Sequence, residues 1–139
     1  MIVLDTNVLS EIMLASPNPA VYLWASQQPN DQLYTTAISM AEIFRGIELL
    51  PIGKRRTQLL TTAESVFSSL LLGRVLAFDE NSARTFALIA VDRRMRGKPI
   101  SLFDAQIAAI AKVREATVAT RNVRDFENCG VRLINPWEA

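Results

Sequence analysis

The chain begins with Ile2-Val3-Leu4-Asp5-Thr6-Asn7, and this short stretch decides how the rest of the sequence is interpreted. Its apolar, largely β-branched run predicts a short buried strand. Asp5 then supplies the chemistry of a helix N-cap, so we expect a helix to follow at once and to extend to about Ala15. A buried strand that leads directly into a helix is typical of α/β proteins.

The same alternation continues along the 139 residues. Further strands are predicted at 32–36, 75–78, 117–120 and 131–134. Further helices are predicted at 39–50, 54–72 and 79–97, and from Pro19 and Ser101 onward. Strands and helices in this order predict a central, mainly parallel sheet with helices on both faces. No repeat or linker interrupts the pattern, so we predict a single domain spanning 1–139.

Four acidic or amide residues each stand at the start of a separate helix-forming segment: Asp5, Glu42, Asp104 and Asn122. Asp5 and Asn122 follow predicted strands, and ligands of open parallel sheets bind beyond the carboxyl ends of the strands. If the four side chains meet there, they form an oxygen-only pocket suited to Mg²⁺ or Mn²⁺. Asp125 could add a further carboxylate. The residues predicted to hydrogen-bond to these ligands are Thr6, Asn7, Ser39 and Thr120.

Each of these positions also has a purely structural interpretation. Ser39 and Glu42 fit a capping box, with Ser39 as N-cap and Glu42 three residues into the helix. Ser101 and Asp104 have the same spacing, while Asp5 and Asn122 could simply cap helices. Capping and metal ligation both place a carboxylate at a helix N-terminus, so the sequence leaves both interpretations open.

Composition excludes several other chemistries. The chain contains no histidine and a single cysteine, Cys129, which excludes Ser-His-Asp and Cys-His catalysis, histidine zinc sites and an internal disulfide. The net charge is only +1, but basic residues are clustered at 54–56, at 93–98 and at 121–124. Solvated helix faces would also explain these clusters. No apolar run is long enough for a membrane span or a signal peptide, and we expect a cytoplasmic protein without membrane contact.

Four segments together resemble the PIN domain, and more narrowly the VapC-type toxins of bacterial type II toxin–antitoxin systems, including the FitB-like branch. The segments are Ile2-Val3-Leu4-Asp5-Thr6-Asn7-Val8-Leu9-Ser10, Ala37-Ile38-Ser39-Met40-Ala41-Glu42-Ile43, Asp104-Ala105-Gln106-Ile107-Ala108-Ala109 and Thr120-Arg121-Asn122-Val123-Arg124-Asp125-Phe126. The ending Asn135-Pro136-Trp137 fits the same branch. The resemblance covers essentially the whole chain in order.

The resemblance implies a three-layer α/β/α sandwich and a Mg²⁺-dependent endoribonuclease, with Mn²⁺ as a substitute ion. Asp5, Glu42 and Asp104 match the family's acidic positions and would hold the metal, and Asn122 stands where some members have Asp. The implied substrate is tRNA, rRNA or mRNA. The implied partners are a cognate VapB-like antitoxin, whose tail enters the acidic groove, and a second copy of the toxin. The toxin–antitoxin complex would bind promoter DNA through the antitoxin.

The basic clusters acquire a role within this resemblance. A phosphate track around the acidic pocket could be formed by Arg93, Arg94, Arg96, Arg121 and Arg124. Asn122 also motivates an alternative, a PIN-like module that binds RNA or protein but has lost its activity. A receiver or aspartyl-phosphate enzyme is a third possibility, but no Asp-x-Asp nucleophile pattern or strand-end lysine is present. The RNA target, the cut site and the number of ions are not encoded in these motifs.

Overall fold

The computed structural model describes residues 1–139. One sheet contains five strands: β1 (Ile2–Leu4), β2 (Leu33–Thr36), β3 (Val75–Leu76), β4 (Thr117–Ala119) and β5 (Arg132–Ile134). Their order is β3-β2-β1-β4-β5, and every neighbouring pair is parallel. The predicted parallel sheet is therefore confirmed.

Six helices connect and flank these strands: α1 (Thr6–Ile12), α2 (Pro19–Gln27), α3 (Ala37–Glu48), α4 (Lys54–Ser65), α5 (Glu80–Met95) and α6 (Leu102–Val113). The single helix predicted for 54–72 changes its winding, because α4 continues into a π-helical turn at Val66–Leu70. Two 3-10 turns, Asn30–Gln32 and Val123–Phe126, precede β2 and β5. None of the helices combines the length and the apolar character needed to cross a membrane.

The helices form one layer on each side of the sheet. Val3 of β1 belongs to a buried cluster that includes Ile89 of α5 and Ile107 of α6. The next residue, Leu4, belongs to a second cluster that includes Val8 of α1 and Ile43 of α3. Successive strand residues face opposite sides of a sheet, so these two clusters are the two interfaces of a three-layer α/β/α sandwich. This confirms the predicted fold class.

The order of the strands reverses between β1 and β4. The chain first builds outward from β1 to β2 and β3, then crosses back to place β4 and β5 on the other side of β1. Leu4 and Ala119 are paired in the register of β1 and β4, so Asp5 and Thr120 leave the sheet side by side. A crevice at such a reversal is the usual ligand position in open parallel sheets.

The start of α3 differs from the prediction. Thr36 is the N-cap of α3, and its Oγ1 accepts a hydrogen bond of 3.0 Å from the backbone N–H of Ser39. The prediction of a capping box with Ser39 as N-cap and Glu42 at the third position was wrong. The reason is that β2 leads into α3 without a loop, so the helix begins at Ala37. Glu42 consequently lies in the second turn of α3.

The predicted cap at Ser101 is confirmed, and Asp79 caps α5 in the same way. Ser101 Oγ accepts a hydrogen bond of 3.1 Å from the backbone N–H of Asp104 at the start of α6. Asp79 Oδ1 accepts one of 2.9 Å from Ser82 at the start of α5. Each cap satisfies a donor that the first turn of a helix leaves without an internal partner.

Candidate metal and nucleic-acid site

A polar pocket of about 230 Å³ opens at the carboxyl ends of β1 and β4. Only two of the ten residues that line it are hydrophobic. The lining consists of Asp5, Thr6, Asn7, Glu42, Ser101, Phe103, Asp104, Asn122, Asp125 and Phe126. The structure therefore brings together all four of the sequence-predicted positions as well as Asp125. We call this the acidic pocket.

Asp5 forms the floor of the acidic pocket because β1 lies at the centre of the sheet. Its backbone N–H donates a hydrogen bond of 3.0 Å to Ala119 O, which extends the pairing with β4 by one residue. Its Oδ1 accepts a hydrogen bond of 3.0 Å from the Val8 N–H at the start of α1. Only 5% of the residue is exposed, so Asp5 both caps α1 and presents a nearly buried carboxylate to the pocket.

Burial makes this carboxylate unusually basic. Loss of solvation raises the pKa of Asp5 from 3.8 to about 6, although hydrogen bonds from Thr120 and the Val8 N–H act in the opposite direction. The negative charge of Asp104 adds to the rise. Burial likewise raises the pKa of Asp104, and the neighbouring charges of Asp125 and Glu42 contribute to that rise. The pocket therefore disfavours negative charge until a cation compensates it.

A series of hydroxyl groups holds Glu42 in place. Thr6 Oγ1 donates a hydrogen bond of 2.7 Å to Glu42 Oε1 and lies 3.1 Å from Ser39 Oγ. Ser39 Oγ lies 3.4 Å from Thr36 Oγ1. Ser39 and Thr36 are buried, so this hydroxyl series is anchored in the core where β2 meets α3. Thr6 thus links α1 to both Ser39 and the Glu42 carboxylate of α3.

Asp104, Asn122 and Asp125 form the other wall. Asp104 is half-buried in the first turn of α6, which Ser101 caps. The backbone N–H of Asn122 donates a hydrogen bond of 3.0 Å to Thr120 Oγ1, and the Asn122 side chain forms no capping bond. The capping interpretation of Asn122 is therefore wrong, and its amide is free to face the pocket. Asp125 follows in the 3-10 turn and also lines the pocket.

Arg93 does not belong to a phosphate track, contrary to the prediction. Its side chain is only 4% exposed. Its guanidinium donates hydrogen bonds of 2.7 Å to Lys98 O, 2.9 Å to Asp125 O and 2.9 Å to Glu127 O. Arg93 thereby ties the end of α5 to the turn that carries Asp125. The sequence showed a basic cluster, but it did not show that one member points into the protein.

The other four predicted arginines are exposed, in different surroundings. Arg96 forms a salt bridge of 2.8 Å with Asp92 on α5, away from the acidic pocket. Arg94 is exposed near the end of the same helix. Arg121 precedes Asn122 and lies over the ring of Trp137, at 5.0 Å from its centroid. Arg124 is exposed in the turn beside Asp125.

The donor set fits a hydrated magnesium ion. All polar side chains of the acidic pocket offer oxygen donors or amides, and none offers nitrogen or sulfur of the kind that zinc prefers. No three acidic or cysteine side chains of the chain are arranged closely enough to hold an ion jointly. Mg²⁺ commonly binds proteins through one or two carboxylates and keeps several waters. Asp5 and Asp104 are the residues that would hold it directly, with Glu42 acting through bound water.

An apolar groove adjoins the acidic pocket on the side of Glu42. It has a volume of about 270 Å³, and six of its eleven lining residues are hydrophobic. It lies between α1, α3 and α4 and shares Thr6 and Glu42 with the acidic pocket. Its apolar walls include Met13, Leu14, Ile43, Ile47, Leu50 and Leu59. Arg55 of the basic cluster at 54–56 stands at its edge.

The fold and the acidic pocket define a class of protein, and comparison with known proteins identifies the same class. A family model described as PIN domain matches residues 2–130. The chain belongs to the PIN-domain family.

Within that family, its relatives include bacterial toxins. The chain is 43% identical over 138 residues to the VapC ribonuclease Y4jK of Sinorhizobium fredii, covering 99% of each chain. It is 39% identical over 137 residues to the toxin FitB of Neisseria gonorrhoeae, again covering 99% of each. A structure of FitAB bound to an IR36 DNA fragment superposes with a TM-score of 0.92, covering 99% of this chain and 96% of the other.

Several lining residues escaped the sequence prediction. Phe103 and Phe126 line the acidic pocket, and Thr36 completes the hydroxyl series. The signals for the first two were their positions beside Asp104 and Asp125. Thr36 could have been found from its place at the end of a predicted strand, one turn before Ser39.

Proposed function

We propose that this protein is a metal-dependent endoribonuclease toxin of a type II toxin–antitoxin system, acting in the cytoplasm. The observation that carries the proposal is the acidic pocket, where Asp5, Glu42, Asp104 and Asp125 meet at the strand-order reversal of a PIN domain. The name of the VapC ribonuclease relative supports cleavage of RNA. The name of the FitB relative supports the role of a toxin.

In this proposal each residue has a defined task. When bound, Mg²⁺ or Mn²⁺ would supply Lewis-acid stabilisation of the phosphate and activation of water. Asp5 would hold the ion, because the strand beneath it and the N-cap bond leave its carboxylate little freedom. Asp104 would hold it from the opposite wall. Glu42, held by Thr6, orients a water molecule toward the phosphodiester bond. The Asn122 amide donates to a phosphate oxygen without adding negative charge.

The apolar groove supports a protein partner, which we propose to be the helical tail of a VapB-like antitoxin. An amphipathic helix laid into an apolar groove is a common recognition mode. The groove ends at Thr6 and Glu42, so its occupant would reach the acidic pocket and block access to it. The structure of FitAB bound to an IR36 DNA fragment supports a further part of the proposal, that the toxin–antitoxin complex binds promoter DNA. In this proposal the antitoxin makes the DNA contacts.

An exposed apolar patch supports homodimerisation. It consists of exposed side chains at helical spacing on α5 and at the start of α6: Leu88, Val91, Met95, Leu102 and Phe103. Met95 is 82% exposed, and contiguous apolar patches of this kind mark interaction sites. Because Phe103 also lines the acidic pocket, a second copy bound here would stand at the rim of the pocket.

The test is cleavage of total bacterial RNA by the antitoxin-free protein. Discrete fragments are expected with Mg²⁺ or Mn²⁺ and should disappear with EDTA, with Asp5→Asn and with Asp104→Asn. Asp92→Asn, an acidic residue paired with Arg96 on the outer surface, is the matched control and should cleave normally. Cleavage that persists with EDTA, or in Asp5→Asn, would refute the metal mechanism.

One observation favours a second candidate, an inactive PIN-like binding module. Asn122 stands in place of a fourth acid, and no three acidic residues are arranged to hold an ion jointly. This candidate predicts RNA or protein binding that EDTA does not change, with no cleavage under any metal. The same experiment therefore separates the two candidates.

A further inference from the structure

A second polar pocket lies directly beside the acidic pocket. It has a volume of about 450 Å³, compared with about 230 Å³ for the acidic pocket, and the two share Asn7 and Asn122 as a common wall. Its volume falls within the range of small-molecule sites. Ser10, Glu11, Arg121 and Trp137 complete most of its lining.

Two of the residues that line the second pocket, Arg121 and Trp137, form a cation–π pair. The Arg121 guanidinium lies over the Trp137 ring, at 5.0 Å from its centroid. Trp137 in turn packs against the buried cluster on the α1 side of the sheet. Its backbone N–H donates a hydrogen bond of 2.9 Å to Asn135 Oδ1, which fixes the turn that carries it. Arg121 therefore lies on a ring that is itself fixed by its packing against the core.

Apart from the Trp137 ring, Arg121 has no charged partner. It forms no salt bridge, since the chain has only the pairs Arg56–Glu48 and Arg96–Asp92. Its side chain is exposed toward the pocket. An arginine supported on an aromatic ring and left free on its outer side is a typical stacking surface for unpaired bases of RNA.

We propose that the second pocket receives one nucleotide of single-stranded RNA next to the cleaved bond, with its base stacked on the Arg121 guanidinium that Trp137 supports. This inference rests on the proposed function, since the cleaved bond lies in the acidic pocket. Asn7, Ser10 and Glu11 line the pocket and offer hydrogen-bond donors and acceptors to the base edge. The pocket thus selects for an unstacked base and excludes duplex RNA.

The chemistry of the lining favours RNA over the antitoxin as the occupant. Only two of the seven lining residues are hydrophobic, whereas six of eleven are hydrophobic in the apolar groove. The second pocket joins the acidic pocket through Asn7 and Asn122, and the apolar groove joins it through Thr6 and Glu42. The second pocket and the apolar groove meet each other at Ser10 and Leu14. A helical tail suits the apolar groove, and a polar pocket with an unpaired cation suits a nucleotide.

The experiment combines protein variants with single-base deletions in the substrate. A fluorescein-labelled single-stranded RNA that the wild-type protein cuts once is prepared in a series, each member lacking one base. Binding to each member is measured by fluorescence anisotropy in EDTA. For the wild-type protein, removal of the base at one position beside the cut should weaken binding roughly 5- to 150-fold, which is the effect of losing one stacked base.

Variants of Arg121 and Trp137 test whether this loss of binding comes from stacking on the Arg121 guanidinium. Arg121→Gln and Arg121→Lys should both weaken binding of the intact RNA, and both should become insensitive to the missing base at that position. Trp137→Phe keeps a ring and should behave nearly as the wild type, while Trp137→Leu should resemble Arg121→Gln. Arg84→Gln, an exposed arginine on α5, is the control for loss of one positive charge. Thermal unfolding of every variant verifies the fold.

Three results would overturn the proposal. Binding by Arg121→Lys that equals that of the wild type would overturn it, because the retained charge would then suffice and the contact would be a simple ionic one. If removal of that base still weakened RNA binding by Arg121→Gln, the base would stack on another residue. Variants that lose antitoxin binding but keep RNA affinity would assign the pocket to the antitoxin. Mg²⁺-dependent cleavage of the same RNA is measured in parallel, so a failure of the proposed function would be recognised separately by its absence in the wild type.

Discussion

Asp5→Asn is expected to stabilise the metal-free protein while it removes the response to Mg²⁺. Burial raises the pKa of Asp5 from 3.8 to about 6, which means that the folded protein binds this proton more tightly than the unfolded chain does. At about 1.36 kcal/mol per pKa unit, this difference corresponds to about 3 kcal/mol of folding free energy. Asparagine keeps the N-cap bond to Val8 N–H but carries no charge.

The direction of the pKa shift of Asp5 determines how its contribution to stability changes with pH. The stability that Asp5 contributes is greatest below pH 3.8 and is lost as the pH rises toward 6, because the buried group must then ionise. Above pH 6 the full penalty acts on the wild type but not on Asp5→Asn. In EDTA the variant should therefore be more stable by up to about 3 kcal/mol at pH 8, and the difference should shrink toward pH 4.

The assay is urea unfolding in EDTA across this pH range, repeated with Mg²⁺ at pH 8. Free Mg²⁺ at 100 times its dissociation constant should stabilise the wild type by about 2.7 kcal/mol and the variant much less. Asp79→Asn is the matched control, because Asp79 is also an N-cap aspartate but is exposed, and its Ser82 hydrogen bonds lower its pKa. It should not stabilise the protein. Equal stability of wild type and Asp5→Asn at pH 8 in EDTA would refute this reasoning.

Three further predictions concern the surroundings of the acidic pocket. Thr6→Val removes the 2.7 Å hydrogen bond to Glu42, so cleavage should fall roughly 10- to 100-fold in kcat with little change in RNA affinity. Arg93→Lys loses the guanidinium contacts to three carbonyl groups and should lower the free energy of unfolding by about 2–4 kcal/mol in urea. Asn122→Asp adds a carboxylate to the pocket, so calorimetry should show tighter Mn²⁺ binding and the protein should be less stable in EDTA.

The sequence correctly predicted those parts of the molecule whose secondary structure has a local signature in the residues. A β-branched run followed by aspartate indicated both β1 and the position of Asp5, because a central strand and an N-cap each have a local signature. The parallel sheet followed from the alternation of strands and helices. The meeting of Asp5 with Asp104 and Asn122 was also predictable, since the carboxyl ends of parallel strands share one edge.

The predictions for Ser39 and Arg93 were wrong because their structure depends on how one element meets another. Ser39 and Glu42 have the spacing of a capping box, but the direct passage from β2 into α3 moved the cap to Thr36 and turned Ser39 inward. Arg93 looks like its neighbours in the sequence, yet carbonyl groups of the distant turn at 123–126 and its surroundings determine its burial. The burial of Arg93 is not encoded within one helical turn of that residue, whereas Thr36 lies only one turn before Ser39.

The central position of β1 has a consequence for the timing of synthesis. β1 is made first, but its neighbour β4 and the residues Asp104 and Asn122 are made in the last third of the chain. Long-range parallel pairing forms late in folding. A nascent chain still on the ribosome thus carries Asp5 without the opposite wall of the pocket. The acidic pocket can therefore form only after the segment that carries Asp104 and Asn122 has been made.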